Sequence, residues 1–274
     1  MSETSVVERV LLRHRAIVIS ALVAAIGGSW LYLLMGAGTG MSTIGMTSWR
    51  MALGLSESMV MTVDWTPQYA MVMFIMWWIM MIAMMLPSAA PMILIHAMVD
   101  RKAKAGLTVY SGLAGTAAFL AGYLLAWAAF SAIATALQWS FERSGLLSSG
   151  MMNSTNAIFA GIILLFAGAY QLTPIKQACL RHCRGPAHFI AHSWRPGNWG
   201  AFQMGLHHGV YCLGCCWGLM AILFFGGIMN LYWIIGLAFV VLIEKSLPAG
   251  VLVSYVTGTI LAIWGAIVIL RVVV

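Results

Sequence analysis

Gly205 to Trp217 reads GLHHGVYCLGCCW and opens an apolar run long enough to enter a membrane. Two adjacent histidines, His207 and His208, precede three cysteines, Cys212, Cys215 and Cys216. On a helix, His208, Cys212 and Cys215 stand at i, i+4 and i+7 and share one face. Cys216 follows Cys212 by four and lies at the edge of that face. Polar, metal-capable side chains are costly against lipid, so they are expected to face a bundle interior and to have partners there. Thiolate and imidazole ligands suit Cu(I) and Zn(II). A single buried cysteine would read as a small hydrophobe. Three cysteines with two histidines in ten residues favour a metal or redox role.

Composition sets the class. The chain has 274 residues, 62% hydrophobic and 8% charged, where a soluble domain carries about 25% charged residues. This predicts an all-α, polytopic transmembrane bundle forming one integral membrane domain over residues 1–274. Seven spans are expected, over about 16–35, 69–98, 109–137, 157–173, 201–225, 231–243 and 249–270. The first apolar run is longer than the roughly 7–15 residues of a signal-peptide core and is read as an uncleaved span. With the N-terminus in the cytoplasm, eleven of the fourteen Lys and Arg fall on inner segments, the expected bias for a multi-pass inner-membrane protein. The basic residues sit in short loops, and no basic domain offers a nucleic-acid surface.

The other soft ligands are spread along the chain. Met76, Met80 and Met84 are spaced by four, as are Met81 and Met85, giving two adjacent stripes on a span kinked by Pro87 and Pro91. Met fills cores, but its thioether is also a Cu(I) ligand. His96 ends that span and is expected near the inner surface with His207 and His208. Residues 176–200 read as a basic loop with Cys179, His182, Cys183, His188 and His192. At about 1.5 Å per residue, Cys212 to Cys216 lie roughly 15–20 Å in from the cytoplasmic side, level with Met84 and Met85. A soft-metal track follows, running outward through Met76, Met73 and Met71. In a reducing cytoplasm the cysteines are expected as thiols, with Cys212 and Cys215 a possible C-x-x-C dithiol. Residues 100–104 and 138–156 read as polar loops, Met51 to Val63 as an interfacial helix, and Glu244 with Lys245 as a pair at the membrane edge.

The segments MMIAMMLPSAAPM (Met80 to Met92) and HHGVYCLGCCWGLM (His207 to Met220) resemble the motifs of a bacterial family described as predicted metal-binding integral membrane proteins. The likeness extends from the second span to the seventh. It implies a helical protein of the bacterial cytoplasmic membrane that binds a metal, and it supplies no reaction. Its motif residues fall on Met80, Met81, Met84, Met85, Pro87, Pro91, His208, Cys212, Cys215 and Cys216. The leading expectation is a protein that takes up, delivers or holds copper as Cu(I), with a metallochaperone or membrane subunit as partner. Zinc or iron are the other candidate metals. The alternatives are a metal- or dithiol-dependent electron-transfer subunit and a structural assembly subunit. Few carboxylates are available for acid–base chemistry, which disfavours an enzyme.

Overall fold

The computed structural model describes residues 3–40, 43–53, 63–103, 109–150 and 152–273, and all its named elements are helices. They are α1 (Glu3–Leu34), α2 (Trp49–Ala52), α3 (Pro67–Ala103), α4 (Val109–Arg143), α5 (Ala157–Gln171), α6 (Pro174–Arg184), α7 (Pro186–Ser193), α8 (Gly197–Met220), α9 (Leu223–Gly226), α10 (Leu231–Ser246) and α11 (Gly250–Val273). Helices are what such apolar runs form, because each backbone group is paired within its own segment. α3 continues through Pro87 and Pro91.

Among the described residues, five helices are long and apolar enough to cross a membrane, within α1, α3, α4, α8 with α9, and α11. The expected count of seven differs at two places. The fourth run is a pair, α5 and α6, bent by 63°. Its break follows from local chemistry: Thr173 caps a new helix by accepting the Lys176 N–H, and Pro174 takes the first position. Counting that pair as one span gives six. The sixth expected run, α10, has 16 residues, about 24 Å of helix against a hydrocarbon layer of about 30 Å.

Three expected loops are helical in part. Asp100 is buried in the last turns of α3, and α4 runs on through Gln138 and Glu142. Those two side chains are buried because they are satisfied. Glu142 accepts from Trp65 and Ser149, both at 2.8 Å, and from Gln138 at 2.9 Å. Gln138 in turn accepts from Trp77 at 2.8 Å. Residues 176–200 form α6, α7 and the start of α8. Of the proposed interfacial helix over Met51 to Val63, Met51 and Ala52 belong to α2, and residues 54–62 lie outside the described residues.

The closest packing is between α4 and α8 and between α5 and α11. Small residues make it possible. A Cβ on Gly205 would lie 1.8 Å from the Phe119 carbonyl oxygen, and one on Gly122 would lie 2.1 Å from that of Phe202. Gly168 and Gly265 similarly bring α5 and α11 into backbone contact. Gly205→Val therefore forces two backbones apart. It is expected to cost at least the 1–3 kcal/mol typical of overpacking, read as a lowered unfolding midpoint in detergent. A midpoint equal to wild type would contradict this crossing.

α3 lies against α4, α1 and α10. Met73, Met76, Met80, Met81, Met84 and Met85 are all at most 1% exposed. Both stripes are thus core. Met71, placed on the outward track, is 58% exposed and lies outside it.

Candidate metal centre

The thiols of α8 point inward. His208, Cys212, Cys215 and Cys216 are all buried, as their shared face requires. Three other helices bring side chains to these thiols. From α4, the Tyr123 hydroxyl lies 3.2 Å from Cys212 Sγ and donates to the Met85 carbonyl oxygen of α3 at 3.3 Å. From α10, Lys245 Nζ donates to Cys212 Sγ at 3.0 Å and to Ser88 Oγ of α3 at 3.1 Å. From α6, Cys183 Sγ lies 3.8 Å from Cys215 Sγ. Within α8, Cys215 and Cys216 are 3.2 Å apart at sulfur, and the Cys215 thiol also donates to the Cys212 carbonyl oxygen at 3.1 Å.

The bend between α5 and α6 explains how Cys183 arrives. It turns α6 back against α8 instead of releasing a solvated loop. Cys179 lies one turn earlier on the same helix. Its sulfur packs on Gly214, where a Cβ would lie 2.8 Å from it. Among the described residues, Cys179 touches no other thiol.

The histidines part company. The His208 ring stacks on Tyr123 at 5.8 Å, with Phe189 at 5.6 Å. Its Nδ1 is buried with no hydrogen-bond partner among the described residues. His96 is wholly buried and stacks on Phe119 at 4.5 Å. Phe119 is 6.2 Å from His208, so one aromatic ring connects the two imidazoles. His207 is exposed beside Tyr211 and lines an open cavity of about 490 Å³ with His192, Trp194, Arg195 and Met204. The pairing of His207 with His208 in sequence is therefore not a pairing in space.

The expected methionines divide by what they touch. Met85 reaches the thiol cluster through its backbone, sharing the Tyr123 hydroxyl with Cys212. Met76, Met80, Met81 and Met84 are buried in the same core. All five cysteines are free thiols, so Cys212 and Cys215 form no disulfide. Among the described residues, no three His, Cys, Asp or Glu side chains converge as a finished metal site. Cys215 Sγ lies between Cys183 and Cys216, and it also donates to the carbonyl oxygen of Cys212.

Glu244 and Lys245 do not pair with each other. Neighbours on a helix point about 100° apart, so Lys245 faces the thiols while Glu244 faces α5 and α6. There it meets Lys176 at 2.7 Å, with both side chains at most 1% exposed. Gln171 donates to the other Glu244 oxygen at 2.8 Å and accepts from Lys176. Sequence reasoning missed Tyr123, Ser88 and Lys176, and gave Lys245 the wrong partner. The available signal was a polar group inside or beside an apolar run, which marks a site by default.

The PpoB2 family, described as a copper chaperone, matches residues 74–268. That stretch contains all five cysteines, Ser88, Tyr123, Lys176 and Lys245. No curated protein and no solved structure matches the chain. With the match running from α3 into α11 and covering well over half its length, the chain belongs to the PpoB2 copper chaperone family.

Proposed function

We propose that this chain is an inner-membrane copper carrier that holds Cu(I) among α3, α6 and α8. The observation that carries the reading is the meeting of Cys183 and Cys215, 32 positions apart, in the core that also holds the α3 methionines. Soft sulfur with imidazole is the donor set that favours Cu(I) over harder ions. Cys212, Cys215, Cys216 and Cys183 are the thiol ligands, and the unpartnered Nδ1 of His208 is the nitrogen donor. Copper replaces a proton on each thiol it binds, and those protons leave with loading.

Seven crossings with the N-terminus inside remain the topology that fits the basic residues best, with α10 and the bent α5–α6 pair as the short ones. A short crossing is accommodated by local thinning of the bilayer and by snorkelling at its ends. The buried methionines of α3 then supply weak thioether sites along the path, because a carrier must also release its ion. A metallochaperone or a membrane enzyme subunit is the receiver.

The test is metal content. Full-length protein, loaded with Cu(I) under reductant and washed, retains copper by elemental analysis. The Cys212→Ser/Cys215→Ser/Cys216→Ser variant loses it, while Cys179→Ser does not. A wild type without copper, or a triple variant with as much, removes the reading.

A further inference from the structure

Lys245 sits in an unexpected place for a lysine ending an apolar helix. Such a side chain ordinarily extends toward water. Here it turns inward, 3.0 Å from Cys212 Sγ. A full positive charge beside a ligand sulfur opposes any cation site, unless that charge is needed for balance. Glu244, its neighbour in sequence, does not cancel it, because that carboxylate is held by Lys176 and Gln171.

We infer that Lys245 is the residue that makes the thiol cluster select a monovalent soft metal over a divalent one. The inference rests on the Cu(I)-holding reading above. An ion that takes two of the four thiols as thiolates meets a ligand charge of −2, and the ammonium brings the cluster to −1. A monovalent ion completes neutrality, whereas a divalent ion leaves +1. In an apolar interior an unbalanced charge is strongly penalised. Cys and His ligands also bind Zn(II), so ligand type alone does not exclude a divalent ion.

Ser88 completes the arrangement. Its hydroxyl donates to the Met85 carbonyl oxygen at 2.9 Å, which leaves its oxygen lone pairs for Lys245 at 3.1 Å. The ammonium therefore has an acceptor that stays in place when copper takes the Cys212 sulfur. Lys245 is a positioning and specificity residue, not a ligand.

Anaerobic titrations of purified full-length protein with Cu(I) and, separately, Zn(II), each against a chromogenic chelator, give the ratio of the two affinities. Lys245→Gln is expected to shift that ratio toward Zn(II) by roughly a hundredfold, the order set by one uncompensated charge in an apolar region. Lys245→Arg keeps the charge and keeps the wild-type ratio, which a purely structural role would not predict. Ser88→Asp retains the lysine but cancels it. It is expected to shift the ratio in the same direction, and it serves if the glutamine variant does not fold. A ratio unchanged in both Lys245→Gln and Ser88→Asp, or moved as far by arginine as by glutamine, overturns the inference alone. A wild type that binds neither metal overturns the copper reading with it.

Discussion

A Lys176→Met protein is expected to unfold about 3–5 kcal/mol more easily than wild type, the cost of leaving one partner of a buried ion pair alone. Lys176 is wholly buried and its partner Glu244 is 1% exposed, so no water replaces the lost ammonium. Gln171 remains as a neutral donor to one carboxylate oxygen. It cannot supply charge. The double variant Lys176→Met/Glu244→Leu removes both ions and should recover most of the loss, because well-packed apolar pairs often match buried salt bridges in stability. Unfolding in detergent, followed by helix content, measures both. A single variant within 1 kcal/mol of wild type would mean that the network is open to solvent. Because the pair ties α10 to α6, the single variant should also loosen the approach of Cys183 to Cys215.

Cys212→Ser is expected to weaken Cu(I) binding more than any other single thiol change. Its sulfur is the one approached by both Tyr123 and Lys245, at 3.2 and 3.0 Å. Serine keeps the shape but offers a hard oxygen, which Cu(I) binds poorly. Tyr123→Phe leaves the sulfur and removes its outer contact. Loss of such a contact commonly costs about 10–100-fold in metal affinity, so Cys212→Ser should exceed that range and Tyr123→Phe should fall within it. Competition with a Cu(I) chelator separates the two. Equal effects would place Cys212 outside the ligand set.

The helical bundle was legible in the chain because hydrophobic length and low charge are properties of single segments. The inward face of α8 was legible for the same reason: the spacing of His208, Cys212 and Cys215 needs no neighbour to be seen. What joins them from elsewhere was not. Cys183 looked like part of a basic loop, since its helix depends on a cap and a proline that turn it back onto α8. Chain position gives His96 a depth but not its burial, and its aromatic cover comes from Phe119 and Trp194. Glu244 and Lys245 were paired by adjacency, although adjacent helical residues diverge. The α4–α8 contact was readable in part, through Gly122, Gly205 and Gly209, because close approach leaves its mark in residue size.

That contact also determines which side of the thiol cluster can give way. α4 and α8 touch main chain to main chain at Gly205 and Gly122, so the wall carrying Tyr123 is a fixed jamb. The facing wall is α6 and α10, held to each other by Lys176 and Glu244, with α6 set at 63° to α5 across Thr173 and Pro174. If the carrier reading holds, that side, which brings Cys183 to the cluster without such main-chain contact, is where release would be sought.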